Sequence, residues 1–124
     1  MKVRMLMNQS VITAQVTESI HQVAARMRAD EISALPVLNR NGLVGIVTER
    51  DLVAALADGL DTRKTLVSAC MTPEPVAASP DDRVTAAALQ MVDLGVRHLP
   101  VVEAGRVVGI LSARDLMVLD LLPA

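Results

Sequence analysis

The sequence predicts an α+β protein made of two β-α-β-β-α units packed sheet against sheet. Three observations carry that prediction. Displaced by 64 positions, the chain matches itself: residues 7–53 align with 71–117 without a gap. Within each copy the apolar spacing passes between strand-like and helix-like periods in the same order. A single copy, at under about 60 residues, has too little apolar area to be stable alone, so two copies sharing a core are expected.

The repeat is the strongest of these signals. Thirteen of the 47 aligned positions are identical, and they cluster: Leu-Pro-Val at 35–37 and 99–101, Val-Gly-Ile at 44–46 and 108–110, Arg-Asp-Leu at 50–52 and 114–116. Chance does not place identities so consistently. The expected boundaries are 1–62 for the first copy and 63–124 for the second, forming one compact module with a connector around Leu60–Ala69.

Each element follows from local chemistry. A brief first strand is expected at Val11–Thr13 and again at Val76–Ala78. A helix comes next. In the second copy Ser79 is the expected N-cap, Pro80 suits the first turn, and Asp81 and Asp82 complement the positive helix end. Val84, Ala87, Ala88 and Met91 then recur at helical spacing, and Gly95 closes the helix in a left-handed cap. The first copy repeats this with Thr17 as cap and Ile20, Val23, Ala24 and Met27 on one face.

Two strands follow, Leu35–Leu38 and Leu43–Val47, around a hairpin turn at Asn39-Arg40-Asn41-Gly42. Their counterparts, Leu99–Val102 and Val107–Leu111, flank Glu103-Ala104-Gly105-Arg106. A last helix starts at Thr48 or Ser112, and the first of these stops near Gly59. Its sequences, LVAALA at 52–57 and LMVLDLL at 116–122, are apolar over more than one face. A helix of that kind normally has a second partner surface, which predicts a homodimer.

Composition narrows the function. Net charge is −2, which argues against a general nucleic-acid binder. Phe, Tyr and Trp are absent, so stacking platforms for single strands are excluded. The single cysteine, Cys70, excludes an intramolecular disulfide and a Cys-based zinc site. No stretch reaches the roughly 18 apolar residues of a membrane span, and the N-terminus has too short an apolar run for a signal peptide. A soluble cytoplasmic protein without membrane attachment is the expectation.

The pattern Thr48-x-x-Asp51, repeated as Ser112-x-x-Asp115, has two readings. On shape alone it is a capping box, each hydroxyl accepting from an early helix N–H and each acid reaching back to the cap. Yet a box needs neither Arg50 and Arg114 inside it nor Gly45 and Gly109 upstream, where a missing side chain lets another group approach the backbone. A strand-to-helix junction also offers N–H groups to an anion, and a carboxylate beside it suits two neighbouring sugar hydroxyls. Hydroxyl, Arg and Asp together therefore suit a ribose-phosphate ligand, and both roles are compatible.

The paired order of apolar-Pro-Val, Val-Gly-Ile and Thr/Ser-x-x-Asp-Leu, with Met71-Thr72-Pro73 opening the second copy, resembles tandem cystathionine β-synthase (CBS) domains, the Bateman module. The resemblance spans about Met7 to Leu119 and leaves no room for a catalytic domain. It implies a stand-alone CBS pair, two repeats about a pseudo-two-fold axis, with adenosine-type ligands such as AMP, ADP, ATP or S-adenosylmethionine in clefts between them. It further implies that Asp51 and Asp115 bind ribose. Thr48, Ser112, Arg50 and Arg114 then face phosphates, and the backbone and aliphatic groups of Val11, Ile12, Thr13, Val76, Ala77 and Ala78 hold adenine. Arg97 and His98, where the first copy has Ser33 and Ala34, imply unequal clefts. Two such modules commonly join as a disc-like homodimer that signals to a regulated partner protein, with no cofactor and no metal.

The remaining candidates are weighed as follows. His98 is either a phosphate contact or pH-sensitive switch, or a half-buried histidine at a strand start. His21 reads as surface, Cys70 as unreactive, and Met1, Met5, Met7 and Met71 as adaptable packing. Glu18, Asp30, Glu31 and Glu49 read as solvated charges, and the replacement of Gly95 by Glu31 puts the first loop's geometry in question. A rival class is a structural association module with empty clefts; an enzyme is a distant third.

Overall fold

The computed structural model describes residues 1–121. It is α+β, as the sequence predicts. The chain divides into two compact units, one made of residues 1–11 with 76–124 and the other of 12–75. The sequence copies 1–62 and 63–124 and these compact units therefore exchange their leading segments. The cause is hydrogen bonding. Residues 1–8 sit on the second copy's elements through Val3 N–H to Asp82 O (2.8 Å), Arg4 N–H to Pro80 O (2.9 Å) and Asn8 N–H to Ile110 O (2.9 Å). The connector does the same for the first copy through Ile20 N–H to Thr65 O (3.0 Å) and Val67 N–H to Glu18 O (2.8 Å).

The unit formed by 12–75 holds a four-stranded sheet: β1 (Ala14–Gln15), β2 (Ala34–Asn39), β3 (Gly42–Thr48) and β4 (Thr72–Pro73), in that order. β1 runs parallel to β2, while β2–β3 and β3–β4 are antiparallel. Two helices, α1 (Ile20–Asp30) and α2 (Glu49–Ala57), complete it. Its core is Ala14, Val23, Met27, Leu35, Val37, Val47 and Val67.

The other unit repeats the plan with less strand. α3 (Val84–Leu94) is followed by β5 (His98–Glu103), β6 (Arg106–Ser112) and the short helix α4 (Ala113–Leu116), which continues as a 3-10 turn through Leu121. Its core holds Val3, Ala78, Val84, Ala87, Met91, Leu99, Val101 and Leu111. Each unit thus buries a cluster of its own. The hairpins share even their irregularity, a register shift at Val37/Leu38 and at Val101/Val102.

Several local expectations are corrected. The first strand lies at Ala14–Gln15 rather than Val11–Thr13. Val76–Ala78 gives only a single parallel bridge, Ala78 to Val101. Ala14 and Ala78, which are 0% and 2% exposed, are the residues that meet Val37 and Val101. Pro80, with no N–H to offer, follows closely on Ala78. The N-cap of α1 is Ser19, in a capping box with Gln22, and not Thr17. Arg83 occupies the cap of α3 without a side-chain bond, because Ser79 is spent on the preceding turn, where its N–H donates to Asp82 Oδ2 at 2.8 Å.

Glu31 adopts the left-handed conformation (φ 55°) that Gly95 adopts in the other copy (φ 66°), so the loop is preserved without glycine. α4 is shorter than its counterpart α2, and β-branched Val118 and Asp120 stand where α2 has the better helix formers Ala54 and Leu56. Leu122, the end of the expected apolar run, lies outside the described residues.

Glu18 is the clearest departure from a solvated charge. Its side chain is 19% exposed and forms an ion pair with Arg26, which also donates to Thr13 O at 3.0 Å. Glu18 Oε1 further accepts from Gln15 N–H at 2.9 Å, the same turn closure that Asp82 provides for Ser79. The Arg26 hydrogen bond holds the Glu18 carboxyl below its ordinary value. A depressed folded-state value means stability that is present above the ordinary carboxylate range and lost as pH falls through it. Glu18→Gln should therefore cost about 1–3 kcal/mol in urea unfolding at pH 7. The difference from wild type should shrink towards pH 3; a pH-independent difference would contradict the ion pair.

Candidate functional site

The candidate site is the strand-to-helix junction, present once in each unit. β3 ends at Thr48, whose backbone is extended (φ −122°, ψ 167°), and α2 begins at Glu49. Thr48 N–H donates to Asp51 Oδ2 at 2.8 Å, and Thr48 Oγ1 accepts from Asp51 N–H at 3.4 Å. The Thr48 hydroxyl also reaches Asp51 Oδ2 at 3.1 Å. In the other unit, Ser112 N–H donates to Asp115 Oδ2 at 2.8 Å and Ser112 Oγ accepts from Asp115 N–H at 3.1 Å. The capping box is therefore formed twice. Both aspartates are half-buried, and in both boxes Oδ2 is the oxygen engaged.

The antiparallel register brings further residues to the second junction. His98 stands opposite Ser112, and Arg97 O accepts from Ala113 N–H at 2.7 Å. Arg97, His98, Ser112, Arg114 and Asp115 thus share one unit and one end of a hairpin. Arg97 and Arg114 are exposed, and His98 is half-buried. At the first junction Ser33 O takes the role of Arg97 O, accepting from Glu49 N–H at 3.0 Å, and Arg50 is the exposed cation of the motif. The two junctions consequently differ in charge as the sequence suggests.

The expected adenine-facing residues divide into two kinds. Ala78 is buried, its N–H donating to Pro100 O and its carbonyl accepting from Val102 N–H, both at 2.9 Å. Its main chain is used by the fold. Thr13 O is engaged by Arg26. By contrast Ile12 and its repeat counterpart Val76 stand just before the bridging alanines, half-buried and exposed respectively. Val11 closes one unit's leading segment and Ile12 opens the other unit.

Sequence reasoning missed what fills the space over the glycines. A Cβ on Gly45 would meet Met71, with Cγ 2.9 Å away, and one on Gly109 would meet Met7 Sδ at 2.6 Å and Asn8 O at 3.1 Å. The group that approaches the backbone is the protein's own thioether. Met7 and Met71 are themselves a repeat pair, the first of the thirteen identities, so the signal was present in the sequence. Met1 and Met5 are exposed and take no part. Cys70 is half-buried, and its thiol is pushed up first by burial and then by the charge of Asp51, which disfavours the reactive thiolate. Among the described residues no group of three His, Cys, Asp or Glu side chains is arranged to hold a metal ion. No described helix is long and apolar enough to cross a membrane.

A repeated hairpin carrying a closed Thr/Ser-x-x-Asp box at its end defines the class, a tandem α+β module. The family is the CBS domain, whose model matches residues 3–58 and 67–121, and the chain belongs to it. Protein MJ1225 of Methanocaldococcus jannaschii, uncharacterized, is 33% identical over 114 residues, which are 91% of this chain and 40% of that protein. The chain thus spans less than half of that relative. The CBS domain pair of protein MJ0100, crystallised with 5′-methylthioadenosine and S-adenosyl-L-methionine, is 30% identical. It superposes with a TM-score of 0.89 over 97% of this chain and 95% of its own. PAE2072 of Pyrobaculum aerophilum, a CBS domain protein complexed with AMP, is 28% identical with a TM-score of 0.87 over 94% and 90%.

The glycine contacts yield a graded expectation. Gly109→Ala should destabilise more than Gly45→Ala, by about 1–3 kcal/mol in total, because it meets a main-chain oxygen as well as a movable methionine. Met71→Ala should relieve much of the Gly45→Ala penalty in a double-mutant cycle read by thermal unfolding. Additive losses would show that the thioether is not the obstacle.

Proposed function

We propose that the chain is a non-catalytic regulatory module that binds adenosine-type nucleotides and passes the binding event to a separate protein. Asp51 and Asp115 each accept from the ribose hydroxyls of a ligand at their own junction. Thr48 and Arg50 at the first junction, and Ser112, Arg114, Arg97 and His98 at the second, meet phosphates. The main chain around Val11 and Ile12, and around Val76 and Ala77, meets adenine, because the main chain of Ala78 and the carbonyl of Thr13 are already engaged, with Ile12 and Val76 giving aliphatic cover in a chain without aromatic rings. AMP, ADP, ATP and S-adenosylmethionine are the candidate ligands, acting as signals rather than as cofactors. Binding would favour one conformation of the module, which the partner reads. The module works as a homodimer, and the exposed apolar side chains support that state, among them Leu89 and Val92 of α3, Val53 and Leu56 of α2, and Met117 and Leu121 after α4.

One observation carries this reading. Each aspartate is held at a fixed place by its own helix cap, through one carboxylate oxygen, beside an exposed arginine. A carboxylate so positioned is preorganised as an acceptor for a diol, and it accepts without further ordering cost. The related crystal structures with AMP and with S-adenosylmethionine support the ligand class. The closed boxes equally favour a second reading, a structural association module in which Thr48–Asp51 and Ser112–Asp115 serve only as caps.

Thermal unfolding with each nucleotide separates the two. A ligand at about 100 times its Kd should stabilise the fold by roughly 2.7 kcal/mol, a midpoint shift of several degrees. Asp51→Asn and Asp115→Asn retain an oxygen for the cap but lose the charge, and should abolish the shift at their own junction while leaving the apo midpoint within about 1 kcal/mol of wild type. No shift with any nucleotide favours the association module. A shift that survives both substitutions overturns the site assignment.

A further inference from the structure

α1 and α3 occupy the same place in the two copies but present different outer surfaces. α3 exposes large aliphatic side chains, Leu89 at 64% and Val92 at 77%. The positions 64 residues earlier on α1 are Ala25 and Arg28. There the surface is a shallow groove lined by His21, Ala24, Ala25, Arg28 and Ala29. One helix carries a ridge where its counterpart carries a trough.

The charges are divided in the same way. Asp93, at the position of Ala29, is the only charged residue of α3. On α1, Arg26 is taken by Glu18, whereas Arg28 has no ion-pair partner among the described residues, and neither does Asp93. Arg28 is thus the charged side chain that lines the groove. α3 is therefore apolar and acidic on its outer face, and α1 is small-sided and basic.

We propose that two copies associate through unlike helices, α3 of one copy lying in the α1 groove of the other. The proposal rests on the homodimer reading above and fixes which units meet. Pairing like with like would set Leu89 and Val92 against themselves with Asp93 facing Asp93, and would leave the alanine trough of α1 facing a second trough with Arg28 near Arg28. Ridges seat in grooves when large side chains meet small ones, and like charges juxtaposed at a contact select against it. The unlike pairing satisfies both conditions at once, with Arg28 and Asp93 able to pair across the interface.

Cysteine cross-linking in a Cys70→Ala background tests this. Ala25→Cys chains and Leu89→Cys chains, one of them tagged to differ in mass, are oxidised separately and after co-expression. The unlike pairing predicts covalent heterodimer from the co-expressed pair and little covalent dimer from either variant alone. Covalent dimer from each variant alone, with no covalent heterodimer after co-expression, would overturn it and leave a like-with-like homodimer. A charge exchange checks the result with the native cysteine in place. Arg28→Glu and Asp93→Arg should each weaken dimerisation about 2–5-fold by sedimentation, and the combined variant should regain most of the loss. A doubly weakened combined variant would contradict the pairing. A wild-type chain that sediments as a monomer at micromolar concentration would remove the dimer itself, without touching nucleotide binding.

Discussion

The reciprocal hydrogen bond between a hydroxyl residue closing a strand and an aspartate three residues into the next helix is the constraint on which the molecule's reading depends. At Thr48–Asp51 and Ser112–Asp115 it turns the chain from hairpin to helix. It satisfies two main-chain donors that would otherwise be orphaned. It also fixes a half-buried carboxylate beside an exposed arginine. In the proposed function, structure and binding draw on the same few atoms, so the cap would persist while the carboxylate receives a ligand.

Around that junction the fold is built by exchange. Residues 1–8 pair with the hairpin of the second copy, and β4 pairs with that of the first, so each leading methionine, Met7 or Met71, lies over the glycine of the opposite sequence copy. The exchange ties the copies together covalently and structurally without requiring a large core in either. It also places the glycines under pressure from the protein itself, which explains why the smallest residue stands at Gly45 and Gly109 three positions before each box. The ion pair of Glu18 and Arg26 closes the turn that leads into α1.

Much of this was legible in the sequence where one local rule acted alone. The apolar spacing of Ile20, Val23 and Met27, and of Val84, Ala87 and Met91, gave the buried helix faces because helical period and burial agree there. The boxes at Thr48 and Ser112 were readable because cap and acid stand at a fixed separation. Where local signals competed, neighbouring side chains decided. Thr17 was the expected cap, and Gln22 selects Ser19 instead. Ser79 had a helix to cap and a turn to close, and the turn won. The strand at Ala14 and the packing of residues 1–8 on the second copy depend on partners far along the chain, for which periodicity has no signal. Glu18 looked solvated because its partner, Arg26, lies eight residues away across a turn.

The central claim is that the carboxylates of the two boxes receive a nucleotide's sugar. A crystal structure of the chain grown with AMP addresses it most directly. The account predicts ribose hydroxyls within hydrogen-bond distance of Asp51 or Asp115 while the cap bonds to Thr48 or Ser112 persist. AMP bound away from both aspartates, or excluded from both junctions by the protein's own side chains, would contradict it.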